Sequence, residues 1–166
     1  QERQSWLQIS YMKEAYHTMG PKFTLGWMAE ALYSSKNFSE NYTATMMQAG
    51  EFAPTPHSRL MYNEAFRANQ YVAAGIKPIY VLNDMFQFRT EFYGFTPIFP
   101  IKKNALNKAY YGKAFSRFEY IGEVSIICHL PFGAISAYVN HYSSPRKEWN
   151  VGMTIGWQLF NYRFVE

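Results

Sequence analysis

Twelve residues near the C-terminal end constrain this chain more than any others. From Trp149 the odd positions are Trp149, Val151, Met153, Ile155, Trp157 and Leu159, all apolar. The even positions, Asn150, Gly152, Thr154, Gly156 and Gln158, are small or polar until Phe160 closes the run. A period of two makes a β-strand with one greasy and one hydrophilic face. The run is longer than the ~5–6 residues of an average soluble strand. It suits a strand of about 9–11 residues crossing a bilayer, with Trp149 and Trp157 as interfacial aromatics. An edge strand of a soluble β-sandwich or lipocalin-like barrel would carry the same pattern, so the decision falls to the other segments.

Composition favours the membrane. Aromatic residues make up 19%, with fourteen Tyr and fourteen Phe, while only 17% are charged, and mean hydropathy is slightly negative at −0.30. No run of ~18 apolar residues exists, which excludes helical spans. A membrane β-barrel combines these properties, because lipid-facing residues alternate with lumen residues. The net charge of +4 is modest and has no block of like charges, so nucleic acid is not expected as a partner. The chain starts at Gln1 without an export signal, as expected of a processed or partial outer-membrane protein.

Eight strand candidates alternate in this way: residues 6–16, 23–33, 42–52, 71–82, 85–95, 118–130, 134–143 and 149–160. The third is irregular, since Met46 and Met47 break the alternation. Pro78 blemishes the fourth and implies an edge or a bulge. The apolar sides predict a lipid-facing set of Leu25, Trp27, Ala29, Ile76, Phe88, Phe92, Val124, Ile126, Val139, Val151, Met153, Ile155 and Trp157. The polar sides carry Glu30, Lys77, Arg89, Glu91, Glu119 and Glu123, costly in a dry core but ordinary in a wet lumen.

Loop lengths follow a parity. Outer-membrane barrels have short periplasmic turns and long external loops. Counting back from Phe160, the turns at Asn83 and Pro131 fall on the periplasmic side. The long links after Phe52 and Phe95, and the loop at residues 144–147, fall outside. The short turn at residues 19–22 and the longer link at 35–41 fit this scheme only loosely.

Catalytic chemistry is not expected. His17, His57, His129 and His141 show no ligand spacing, so neither a metal nor a cofactor is predicted. Cys128 sits on an apolar face and reads as a small hydrophobe. Glu119 and Glu123 share a face about 13 Å apart, too far for a paired-carboxylate catalyst.

Several segments resemble the C-terminal barrel of bacterial patatin-like phospholipases of the Bacteroidetes type. They are Ala53-Pro54-Thr55-Pro56-His57-Ser58, Ala65-Phe66-Arg67-Ala68-Asn69, the hairpin from Tyr71 through Asn83 to Tyr93, Pro131-Phe132-Gly133-Ala134-Ile135-Ser136, and Trp149 with Phe160-Asn161. The resemblance implies an antiparallel transmembrane barrel of the bacterial surface-antigen kind, related to the BamA/TamA assembly factors. These residues would be its C-terminal eight strands of about sixteen, serving as membrane anchor or translocation barrel. It implies outer-membrane lipids, the barrel-assembly machinery and the remaining strands, from a longer chain or other subunits, as partners.

In that superfamily an external loop folds into the lumen with a Val-Arg-Gly-Phe-type motif, matched here by Phe66, Arg67, Ala68 and Asn69, with Arg67 the residue retained. The resemblance then implies an Arg67–Glu91 ion pair, with Arg89, Glu119 and Glu123 as charged neighbours. The final strand is similar to a C-terminal assembly signal. The chain has neither the Gly-x-Ser-x-Gly elbow nor the Gly-rich oxyanion loop of a patatin hydrolase, so it is not expected to hydrolyse anything. A complete eight-stranded outer-membrane barrel, structural or lipid-modifying, is the alternative.

Overall fold

The computed structural model describes residues 5–144 and 149–157. Strands β1 (Gln8–Thr18) and β2 (Phe23–Ser34) open the chain. A long excursion follows, holding helix α1 (Tyr42–Gln48) and the two-residue strands β3 (Gly50–Glu51) and β4 (Arg67–Ala68). Strands β5 (Gln70–Val81) and β6 (Phe86–Pro97) form the next hairpin. A second excursion carries the small hairpin β7 (Ile101–Lys103) and β8 (Ala109–Tyr111). Strands β9 (Glu119–Leu130), β10 (Gly133–Tyr142) and β11 (Trp149–Trp157) complete the chain.

Seven strands form one antiparallel sheet in the order β1-β2-β5-β6-β9-β10-β11. Each long strand therefore pairs with its neighbours in sequence. Among the described residues this sheet is open, with β1 and β11 as its edges and no ladder between them. Among the described residues seven long strands stand in this sheet, where eight were expected. Residues 158–166 and 145–148, with the end of the expected last strand, lie outside the described residues, as does the side chain of Trp157.

The missing strand is the third. Residues 42–48 form a helix instead, for local reasons. Asn41 is extended, and its side chain accepts a hydrogen bond from the Ala44 N–H at 2.8 Å, a helix N-cap. Tyr42, Thr45, Met46 and Ala49 follow at the i, i+3, i+4, i+7 spacing of one helix face, and the last three are buried. The two methionines that disrupt a strand pattern belong to a helical one.

Removing that strand repairs the loop parity. β2 and β5 become direct neighbours, so the turns at residues 19–22, 82–85 and 131–132 share one end of the sheet. Both excursions and the β10–β11 link share the other. The two loose fits noted above both came from the spurious strand. Pro78 lies in an interior strand and makes no bulge. The β5–β6 ladder skips Lys77 and Pro78 between Ile76↔Phe92 and Ile79↔Arg89 and resumes in the same register.

The two faces differ sharply. One is bare: Ile76, Phe88, Phe92, Val124, Ile126, Val139, Val151, Met153 and Ile155 are all exposed. Trp27 is half-buried there, because its Nε1 donates to His17 Nε2 at 3.3 Å and Lys13 lies 5.7 Å above its ring. The other face is covered, towards the long-link end, by the first excursion. Its core is Tyr71, Tyr93, Phe95, Ile121 and Tyr142 from the sheet and Phe52 and Phe66 from the excursion.

Three cross-strand tyrosine–glycine pairs stiffen the covered face: Tyr16↔Gly26, Gly75↔Tyr93 and Tyr138↔Gly152. In each the ring lies across the glycine so closely that a Cβ there would fall 2.2–2.6 Å from it. The aromatic thereby covers backbone that glycine leaves bare. Gly75→Ala should push the buried Tyr93 ring aside and cost about 1–3 kcal/mol. Gly122→Ala on the bare face, where an added Cβ meets nothing within 4 Å, should be near neutral. Denaturant midpoints of the two variants check this.

Candidate functional site

The covered face and the segment across it gather most of the charged residues that the sequence singles out. The first excursion leaves β2 and returns to β5. Its fixed points are the α1 helix, a small β3–β4 ladder pairing Gly50 with Ala68 and Glu51 with Arg67, and a tight turn at residues 55–58. In that turn Ser58 Oγ donates to the Thr55 carbonyl at 2.8 Å and accepts from the Thr55 N–H at 2.9 Å. Thr55 and Ser58 are buried. Pro54 and Pro56 flank Thr55 and preset an extended entry.

The four motif residues are brought together at the return into β5. The Phe66 ring packs on Phe95 and Tyr142 at centroid distances of 5.6 and 6.0 Å. Ala68 is fully buried. Asn69 Nδ2 donates to the Lys36 carbonyl at 3.2 Å and to Tyr111 Oη at 3.0 Å, tying the two excursions together.

Arg67 does not pair with Glu91. Its guanidinium forms an ion pair with Glu51, its cross-ladder neighbour. Its Nη1 also donates to the carbonyls of Met46, Met47 and Ala49 at 3.4, 3.2 and 3.3 Å. Those oxygens end helix α1, where carbonyls lack intrahelical donors and a cation is favoured. The guanidinium also lies 4.8 Å from the Tyr62 ring centroid. Arg67 therefore organises its own excursion rather than bridging to the sheet. Glu51 reaches Arg67 because residues 50–51 and 67–68 pair as a small ladder of their own, outside the main sheet that carries Glu91.

The sheet carboxylates have partners of their own. Glu91 accepts from Tyr93 Oη and sits 3.4 Å from Arg89 Nη1. Glu123 lies directly across the β6–β9 ladder from Glu91 and accepts from Asn140 Nδ2 at 3.4 Å. Glu119 accepts from Ser143 Oγ at 2.5 Å and lies 3.6 Å from Arg117 Nε. Lys77, nearly buried on β5, pairs with Glu14 on the edge strand β1. Each buried charge thus has an opposite charge or a donor beside it, as burial requires. Side chains of both signs form a polar band next to the aromatic layer. Among the described residues no three His, Cys, Asp or Glu gather in a way that could hold a metal ion.

Sequence reasoning missed two contacts that hold the excursion down. His57 Nδ1 lies 2.9 Å from Tyr142 Oη, and Asn63 Nδ2 donates to the Ser144 carbonyl at 3.0 Å. Each spans more than 80 residues, so no local pattern signals them. Burial holds the His57 imidazole below its ordinary pKa of 6.5. Burial, followed by the nearby Glu64 carboxylate, raises the Tyr62 hydroxyl.

No protein-family model, curated protein or solved structure matches the chain.

Two outcomes follow from this geometry. Arg67→Met should loosen the excursion and raise its cleavage rate under limited proteolysis roughly tenfold, by freeing the helix-end carbonyls and stranding Glu51. Glu91→Gln should leave that rate unchanged, and equal acceleration would restore the Arg67–Glu91 pair. For His57 the depressed pKa means that protonation favours the undocked state. Its contribution is complete above about pH 6.5 and is lost as the pH falls through the lowered folded value. Cleavage within residues 50–69 should therefore rise between pH 7.5 and 5, and His57→Gln should flatten that profile.

Proposed function

We propose that the chain is a membrane-spanning section of an outer-membrane β-barrel. It serves as the anchor or translocation barrel of a larger protein of the patatin-like phospholipase type. The observation that carries the reading is the bare face. Six adjacent strands, β2 to β11, present Leu25, Trp27, Ile76, Phe88, Phe92, Val124, Ile126, Val139, Val151, Met153 and Ile155 on one side, most of them exposed. Hydrocarbon on that scale is unusual on a protein surrounded by water. Strands of 9–12 residues match a tilted bilayer crossing. Short turns at one end and long links at the other match the two sides of an outer membrane. The polar face, with its paired charges and its covering segment, then lines the lumen. The patatin relationship rests on the motif residues around Thr55, Phe66 and Pro131 and carries no hydrolytic role for these residues.

Strand direction limits how such a barrel closes. Seven strands joined in an unbroken antiparallel meander leave β1 and β11 running the same way. Neither self-closure nor head-to-tail pairing of two copies would be antiparallel. An all-antiparallel barrel needs an odd number of further strands, because open edges are not tolerated in lipid. Nine more strands would give sixteen, and one more would give the self-contained eight-stranded alternative. The length of the native gene product separates these.

The test uses the full gene product, exported and recovered from outer membranes. Ile155→Arg places a charge on the bare face and should cost about 2–4 kcal/mol of folded stability, seen as loss of the heat-modifiable band. Thr154→Arg, one residue away on the opposite face, should assemble like the parent. Equal assembly of the two variants would overturn the orientation and with it the membrane reading.

A further inference from the structure

The chain's net positive charge is concentrated in one link. Between Pro97 and Glu119 stand Lys102, Lys103, Lys108, Lys113 and Arg117 and no carboxylate. Of sixteen basic and twelve acidic side chains in all, eleven and twelve remain elsewhere, a net of −1. The opposite end of the sheet is balanced, its short turns carrying only Lys22 and Asp84.

Arg117 is turned inward, donating to the Ala65 carbonyl and facing Glu119. The four lysines are exposed. Among the described residues none of them has an ion pair, side-chain hydrogen bond or aromatic partner. Nor is their scaffold slack. Asn104 Oδ1 accepts from the N–H groups of Leu106 and Lys108 at 3.0 and 2.8 Å, and Asn107 takes a left-handed φ of 58° to close the turn. Ile101 is buried in one apolar cluster with Met46 and Ala49, and the Tyr42 N–H donates to the Asn107 carbonyl at 2.8 Å. The hairpin is thus bolted to the first excursion and presents like charges that repel one another until an anion arrives.

At the foot of this link, on the bare face, the Phe118 ring lies against Gly94, where an added Cβ would be 3.0 Å from it. Beside it is a hollow of about 240 Å³ lined by Val72, Ala74, Gly94, Thr96 and Phe118. The lysine-bearing link leaves the sheet at the end where this apolar recess lies, and cations and exposed hydrocarbon at one end of a sheet suit one kind of molecule, an amphiphile with an anionic head and a hydrocarbon tail.

We propose that the β7–β8 hairpin binds phosphate-bearing lipid headgroups of the leaflet on the long-link side. Lys102, Lys103, Lys108 and Lys113 meet the phosphates, and an acyl chain lies against Phe118 in the hollow. The proposal rests on the membrane reading above. The apolar recess at the same end of the sheet favours lipid over a nucleic acid, which would use the charge and ignore the hydrocarbon.

The test titrates the detergent-solubilised full protein with four probes, a diphosphorylated glycolipid of the lipid A type, phosphatidylcholine, inorganic phosphate and a short DNA duplex, and follows bound copies by native mass spectrometry. The glycolipid should be retained at least about tenfold better than phosphatidylcholine, and raising the salt should erode that preference. Replacing the four lysines together by Gln should abolish it, while Lys22→Gln at the other end should not. Phe118→Ala should weaken retention of the glycolipid without affecting inorganic phosphate. Unchanged glycolipid retention in the quadruple variant would overturn the proposal. So would inorganic phosphate or a short DNA duplex binding as tightly as the lipid. The two readings fail separately. A protein that inserts, with Ile155→Arg defective and Thr154→Arg normal, but shows no lysine-dependent lipid retention refutes the headgroup site alone. Failure of that orientation test removes both.

Discussion

Everything in this molecule hangs on the register of six antiparallel ladders. In a strand the side chains alternate, so a slip of one residue exchanges the two faces completely. A one-residue slip of β9 against β6 would bring Glu123 to the bare face and turn Val124 towards the covered one. Short turns fix each hairpin at one end, and the tyrosine–glycine pairs add a lock in mid-strand, because each ring fits only opposite the residue without a side chain. The polar band and the aromatic core are consequences of that register. Glu123 meets Asn140, and Tyr93 lies over Gly75, because the ladders put them opposite one another.

The excursions exploit what the ladders leave at the long-link end. The first converts a face of buried aromatics into a closed core by adding Phe52 and Phe66. The second leans on the first through Ile101, Tyr111 and Asn69. Arg67 is the hinge pin of this arrangement. It satisfies the end of helix α1 and fixes the β3–β4 ladder through Glu51, so that Phe66 enters the core at a defined angle.

How much of this was written plainly in the sequence depended on the range of the forces involved. The strands that became β2, β9 and β11 could be read directly, because alternation is local and their Thr and Glu residues fall on one side. Residues 42–49 are ambiguous because a methionine pair fits a helix and a frayed strand equally, and it is the Asn41 cap that decides for the helix. The parity of the loops hinted at the error, since two links sat on the wrong sides. The partner of Arg67 was hidden for a different reason. Ion pairs depend on which carboxylate a loop's own path brings near, and a path of more than thirty residues is not set by periodicity. Contacts such as His57 with Tyr142 leave no trace in the sequence at all.

The cover over the polar face has an electrical meaning. Phe52, Phe66, Tyr71, Tyr93, Phe95 and Tyr142 cover the long-link half of the sheet with buried hydrocarbon and phenol rings. Beside them Arg89 and Lys77 pair with Glu91 and Glu14, and Asn140 and Tyr93 donate hydrogen bonds to Glu123 and Glu91. In the proposed barrel this packed, internally paired half of the face would insulate rather than conduct, and a path for ions would lie along whatever surface the completing strands supply.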